Sequence, residues 1–88
     1  MSEIVRSIRV KIFDKDSQPR DQYYVVGGNV GMGVDEEKKP IRKIISNIEV
    51  MEDAHSKFYR IYVTVGNEVQ IWKDEPANQY CTPEYSND

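Results

Sequence analysis

The alternation of apolar and polar positions along the chain predicts several β-strands. Apolar and polar residues alternate over residues 8–12 and again over 58–65. Because the side chains of a strand alternate between its two faces, both segments predict strands with one buried face. Gly-Asn at 66–67 interrupts the second alternation, which resumes over 69–71. This arrangement predicts a hairpin closed by a two-residue turn, and the short apolar run at 23–26 predicts one more strand.

Residues 41–51 fit two kinds of secondary structure. Five apolar side chains fit one stripe of a helix: Ile41, Ile44, Ile45, Ile48 and Met51. A helix here would place Arg42 and Lys43 at the positive end of its dipole and acidic residues at the negative end. The isoleucines would also lose side-chain freedom in a helix because they branch at Cβ. We therefore predict a strand, and a helix over 41–51 is the alternative.

Two segments lack the pattern of a core element. Residues 27–40 are glycine-rich and then charged, which predicts a long mobile loop. Residues 74–88 contain four acids, two prolines and no base, which predicts an acidic C-terminal tail. A single β domain then covers residues 1–73. We expect a mainly β fold, a small antiparallel sheet or partly open barrel of about five strands, with α+β as the alternative if 41–51 is helical.

Sorting the strand residues by parity assigns each to one of two faces. One set is apolar and is expected to face the core: Ile8, Val10, Ile12, Ile61, Val63, Val65, Val69 and Ile71. The other set mixes aromatic and basic residues: Arg9, Lys11, Phe13, Phe58, Arg60, Tyr62, Gln70 and Trp72. Its aromatic rings are able to stack on the bases of a single-stranded nucleic acid while its cations hold phosphates. Packing of this face on a second sheet, a helix or another subunit is the favoured interpretation, because the acidic balance of the chain argues against a strong nucleic-acid footprint.

Length and charge limit these possibilities. The chain has 88 residues, which is room for one domain, and 15 acidic against 12 basic residues give a formal charge of −3. This balance argues against a polycation that binds duplex DNA or a membrane surface. The charge is unevenly distributed, since it changes from −3 to +1 when the four acids of residues 74–88 are left out.

Candidate chemistry is sparse. The backbone amides of Gly27, Gly28, Gly31 and Gly33 are a weak candidate for a phosphate-binding nest, because no Walker or dinucleotide-binding pattern surrounds them. His55 is the only histidine, and Cys81 is the only cysteine and has no base nearby in sequence. We therefore expect no catalytic residues, no metal site and no cofactor.

These observations favour a binding protein over an enzyme. We predict a small non-enzymatic protein that acts through protein–protein contact, such as a regulator or inhibitor, and that forms a homodimer. Single-stranded nucleic-acid binding through the aromatic and basic face is the alternative. The unpaired cysteine, the lack of a signal-peptide pattern and the absence of any apolar run of about 18 residues predict a cytoplasmic protein without a membrane partner.

Overall fold

The computed structural model describes residues 4–16 and 18–86, and this part of the chain is built from strands without a helix. The strands are β1 (Ile4–Ile12), β2 (Arg20–Val25), β3 (Asn29–Val34), β4 (Pro40–Glu52), β5 (Lys57–Val65), β6 (Glu68–Pro76) and β7 (Cys81–Ser86). The mainly β prediction is confirmed, and residues 41–51 lie in a strand rather than a helix. The described chain has seven strands where the alternation predicted about five.

The strands form two antiparallel sheets. One sheet has three strands in the order β2-β1-β7, and the other has four in the order β3-β4-β5-β6 and curls into a half-barrel. The chain passes from the first sheet to the second at Gly27-Gly28. There the Gly27 N–H donates to the Ile45 carbonyl at 2.8 Å, and the Ile45 N–H donates to the Gly28 carbonyl at 2.9 Å. Gly27 has a φ of 95°, which favours glycine at this crossing.

The core lies between the two sheets and is mostly aliphatic. Its buried hydrophobic residues come from four strands: Val5, Ile8, Ile45, Ile48, Tyr59, Ile61, Val63 and Cys81. Ile8 and Ile61 have no exposed surface at all. Burial of such side chains contributes about 1.5–3 kcal/mol each, so this cluster is the main source of stability.

The parity prediction is correct for β1 and β5 but wrong for β6. Val69 and Ile71 are 65% and 56% exposed, whereas they were expected in the core. Because the turn at 66–67 has two residues, Val65 lies directly opposite Glu68, and Val69 and Ile71 fall on the outer face. Trp72 falls on the inner face for the same reason, and it is the extra residue of a bulge that makes Lys73 the partner of Ile61.

The expected acidic tail is wrong for residues 74–86. β6 continues to Pro76, and β7 pairs antiparallel with β1 and places Cys81, only 3% exposed, in the core. Glu84 accepts a hydrogen bond of 3.2 Å from the buried hydroxyl of Ser7. Strand pairing therefore outweighs the polar composition of this segment, and residues 87–88 of the predicted tail lie outside the described part of the chain.

The expected loop over 27–40 is also wrong for half its length. β3 occupies residues 29–34 and pairs with β4, with a bulge between Asn29 and Gly31. The true turn covers residues 35–39. It is held by the Asp35 carboxylate, whose Oδ1 accepts the backbone N–H groups of Glu37 and Lys39, both at 2.9 Å.

Candidate interaction surfaces

The predicted aromatic and basic face is divided between the two sheets. Arg9, Lys11 and Phe13 lie on or just beyond β1, in the three-stranded sheet, whereas Phe58, Arg60 and Tyr62 lie on β5, in the four-stranded sheet. Since the sheets pack together through their inner faces, their outer faces point away from each other. The structure therefore does not bring these six residues together into one surface.

The β1 half keeps its basic and aromatic character. Arg9 and Lys11 are exposed, and no ion pair to either side chain is found among residues 4–16 and 18–86. Arg9 lies directly opposite the half-exposed Tyr23 on β2. Phe13 meets the ring of Tyr80 edge to face, with centroids 5.2 Å apart. We call these five residues the β1 surface.

On β5, the charge of Arg60 is already neutralised. Its Nε lies 3.0 Å from Asp74 Oδ1 and its Nη2 3.3 Å from Asp74 Oδ2, which is a two-point ion pair. The hydrogen bond to Asp74 raises the pKa of the guanidinium further above its ordinary value. The guanidinium carbon also lies 5.3 Å from the centre of the Phe58 ring. Arg60 is therefore held within the sheet surface and does not present a free cation to a phosphate.

Trp72 does not belong to the outer face on which the parity placed it. It packs against the core and meets Tyr24 of β2 edge to face, with ring centroids 5.3 Å apart. Lys73 Nζ lies 4.3 Å from the centre of the Tyr24 ring and 4.6 Å from that of Trp72, and it donates to Tyr24 Oη at 2.7 Å. It also pairs with Glu75 at 3.2 Å. These contacts join the two sheets, so the Trp72 indole stabilises the packing of the sheets and does not form part of an outer surface.

Lys73 remains a cation despite its partial burial. Burial lowers the pKa of its ammonium group, but the hydrogen bonds to Tyr24 and Glu75 outweigh burial and raise the pKa above its ordinary value. Retaining the charge keeps both hydrogen bonds and both ring contacts in place at neutral pH.

The outer face of the four-stranded sheet carries an apolar surface that combines the predicted Phe58 and Tyr62 with two residues expected in the core, Val69 and Ile71. Across β5 and β6, Tyr62 lies opposite Ile71 and Thr64 lies opposite Val69. Phe58 lies further along β5, beyond the Arg60–Asp74 ion pair. The outer patch is defined here as Phe58, Tyr62, Val69 and Ile71. Counting residues across the two-residue turn, instead of continuing one alternation through it, would have found Val69 and Ile71.

The four glycines serve backbone geometry rather than an anion nest. Gly27 donates its amide to the Ile45 carbonyl, Gly28 donates to the Val25 carbonyl at 2.8 Å, and Gly31 donates to Asn29 Oδ1 at 3.0 Å. A Cβ on Gly33 would lie 2.8 Å from Val65 Cγ1, so this glycine allows close packing. Because three of the four amides have internal acceptors, the arrangement does not supply the convergent donors that a phosphate needs.

Concave features are shallow. A depression of about 640 Å³ lies between the turns at 35–39 and 66–67, with Ile41 and Val65 among its lining residues and several carboxylates beside them. A smaller one of about 160 Å³ lies beside Arg9 and Lys11. Neither depression brings a nucleophile and a general base together.

The side chains that could carry chemistry are separated or buried. Burial, followed by the charge of Glu75, raises the pKa of the Cys81 thiol to about 11. His55 is exposed in the turn after β4. No three histidine, cysteine or acidic side chains of the described residues are close enough together to hold a metal ion. Over the same residues, no helix has the length and apolar character that a membrane crossing requires.

Comparison of the chain with protein-family models, with curated proteins and with solved structures found no match. The two surfaces described above are therefore the features that support a function.

Proposed function

We propose that this chain is a small non-enzymatic binding protein that acts through protein–protein contact, as a regulator or inhibitor does, and that the outer patch is its contact surface. The observation that carries the proposal is the exposure of Val69 and Ile71 beside Tyr62. Exposed apolar side chains that adjoin an aromatic ring are typical of interaction sites, where tyrosine often supplies much of the binding energy.

The surroundings of the outer patch resemble the polar rim of an interface. Arg60 and Asp74 cross the patch as a paired, neutral unit, and Glu49 lies directly opposite Arg60 on β4. Polar side chains around an apolar centre fix the orientation of a partner and exclude water from the central contacts. A partner with an apolar centre and a polar border would match this arrangement.

Affinity capture with matched variants tests the proposal. Immobilised wild-type protein, Tyr62→Ala and Tyr23→Ala would be exposed to the same native lysate, and the captured proteins identified by mass spectrometry. Tyr23 is a fair control because it is half exposed on the other sheet. We expect a protein that wild type and Tyr23→Ala retain and Tyr62→Ala loses, since removing a central tyrosine commonly costs about 2 kcal/mol of binding. Equal capture by all three proteins, or no specific capture, would contradict the proposal.

A second candidate function, single-stranded nucleic-acid binding, is supported by the β1 surface. Arg9 and Lys11 lie unpaired among the described residues, next to Tyr23 and the Phe13–Tyr80 ring pair. Such a surface offers cations for phosphates and rings for stacked bases, each stack contributing about 1–3 kcal/mol.

Fluorescence anisotropy with labelled oligonucleotides tests this second function. We expect salt-dependent binding that weakens in Arg9→Ala and Tyr23→Ala but not in Tyr62→Ala, whose side chain lies on the other sheet. Binding that is independent of salt, or that Tyr62→Ala weakens as much as Tyr23→Ala does, would rule out the β1 surface as the site.

A further inference from the structure

The outer edge of β6 has no partner strand among the described residues, and its backbone groups lie next to exposed apolar side chains. The turn at 66–67 has two residues, and Gly66 has a φ of 63°. A two-residue turn closes on a hydrogen-bonded pair, here Val65 and Glu68, and hydrogen-bonded and non-bonded pairs then alternate along the hairpin. Gln70 therefore directs its N–H and C=O toward β5. Val69 and Ile71 direct theirs away from β5, toward the open edge.

This free edge is short and well bounded. Beyond Ile71 the strand has its bulge, and the side chains of Trp72 and Lys73 turn inward against Tyr24. The free segment is therefore residues 68–71. Bulges and prolines are the usual protection of an edge strand. Among the other edge strands, β3 has a bulge between Asn29 and Gly31, β7 contains Pro83, and β2 has neither but begins with the charged Arg20 and Asp21, whereas residues 68–71 have no bulge, no proline and only Glu68 as a charge.

We propose that this edge pairs with the same edge of a second copy of the chain, antiparallel and with the twofold axis at Gln70. Val69 of each copy then lies opposite Ile71 of the other. Both residues direct their backbone groups outward, so these two pairs form four hydrogen bonds between the copies. The exposed apolar side chains of the two copies also cover each other on the outer face. The inference does not depend on the proposed function.

The charge pattern and the alternative registers favour this arrangement. Glu68 lies opposite Trp72 of the second copy, and the two Glu68 positions are about 13 Å apart along the strands, which exceeds the screening length of about 8 Å. Moving the twofold axis by one residue to Ile71 changes the register by two residues and places Val69 opposite Lys73 of the second copy. Moving the axis to Val69 instead places Glu68 opposite Gln70 of the second copy. In either shifted register, only one of the two apolar residues of each copy lies opposite an apolar residue. The Gln70-centred register is therefore the one that pairs both Val69 and Ile71 with apolar partners.

Such a dimer forms one continuous sheet of eight strands. Its interface is well below the roughly 1,600 Å² of standard interfaces, so we expect a dissociation constant on the order of 100 µM. The outer patches of the two copies become neighbours on one face of this sheet. The dimer is therefore compatible with a partner bound at the outer patch.

Amide hydrogen exchange of the wild-type protein tests the proposed edge directly. At the expected affinity, mass action changes the monomer fraction from about 85% at about 10 µM to about 20% at about 1 mM. The amides of Val69 and Ile71 should therefore exchange about fourfold more slowly at the higher concentration. The Gln70 amide should be equally protected at both, because it bonds to β5. Sedimentation should show the same concentration dependence. A monomer at 1 mM, or a dimer in which these two amides exchange unchanged, would overturn the proposal.

Two variant pairs test the register independently. Ile71→Lys should abolish the dimer, whereas Met32→Lys should leave it intact, because Met32 is 58% exposed against 56% for Ile71 but lies on β3, at the opposite edge of the four-stranded sheet. Gln70→Cys should oxidise to a covalent dimer, since a non-bonded pair places the two Cα atoms about 4.5 Å apart. Glu68→Cys should not cross-link at the separation given above. Equal cross-linking of both cysteine variants, or a dimer that survives Ile71→Lys, would refute this register.

Discussion

Replacing Ile61 and, separately, Ile71 with alanine distinguishes the structure from a simple alternation through the hairpin. The alternation places both isoleucines in the core, whereas the structure buries Ile61 completely and leaves Ile71 56% exposed. The two substitutions remove the same three carbon groups from neighbouring strands. Any difference between their effects on stability therefore reports burial and not side-chain chemistry.

The magnitudes follow from the exposures. Three buried carbon groups contribute about 2.4 kcal/mol, and the cavity left at Ile61 adds to this, so Ile61→Ala should lower the free energy of unfolding by about 3–4 kcal/mol. Ile71→Ala loses less than half of the transfer contribution and leaves no closed cavity. We expect a loss of about 1 kcal/mol, which includes the lower strand preference of alanine.

Denaturation followed by the fluorescence of Trp72 measures both losses. Because about 1 kcal/mol shifts the Tm of a domain of this size by about 4–8 °C, Ile61→Ala should lower the Tm by at least about 12 °C and Ile71→Ala by less than about 8 °C. Measurements below the proposed dimer dissociation constant keep association from contributing. Equal losses for the two variants would refute the face assignment of β6, and with it the outer patch.

Three further predictions concern buried and capped groups. Because burial raises the pKa of Cys81 to about 11, its thiol at about pH 8 should react with a disulfide reagent at least a hundredfold more slowly than free cysteine, and rapid labelling of the folded protein would contradict this. Backbone hydrogen bonds in the turn after β4 lower the pKa of the Asp53 carboxyl group in the folded protein. The stability that this carboxylate contributes should therefore be present above the pKa of the unfolded chain and be lost as the pH falls through the pKa of the folded protein. An NMR titration of the carboxyl group with a midpoint at or above 3.8 would refute the capping geometry. Tyr24→Phe removes only the oxygen that accepts from Lys73 and should cost about 1 kcal/mol in urea denaturation, while an unchanged midpoint would show that this hydrogen bond does not stabilise the contact between the sheets.

The strands that the sequence predicts well are those whose alternation is uninterrupted. Residues 8–12 and 58–65 alternate cleanly because each strand has one buried and one outer face. Residues 41–51 belong to a strand although Ile41, Ile44 and Ile48 fit a helical stripe, and the bulge between Ile45 and Asn47 produces this mixed spacing. A bulge adds one residue on one strand only, so a pattern read from that strand alone shows it merely as irregular spacing.

The missed strands owe their conformation to partners rather than to their own residues. β7 contains Pro83 and Glu84 and is polar in composition, but it pairs with β1 along its length. β3 is interrupted by glycines, and its pairing with β4 compensates for their weak strand preference. Val69 and Ile71 were assigned to the wrong face for a related reason, because the face of each depends on the number of residues in the turn.

The pairing of β1 with β7 has a consequence for the order of folding. This pairing brings Ile4 beside Ser86, so it closes nearly the whole described chain, whereas β3 to β6 are joined by short turns to their sequence neighbours. Closing a long loop costs more entropy than closing a short one, so the β3–β6 meander is expected to form first and β7 to dock last. During synthesis, the three-stranded sheet cannot be completed until residues 81–86 have left the ribosome. Until that moment the thiol of Cys81 lies outside the core, so its protection reports the final step of folding.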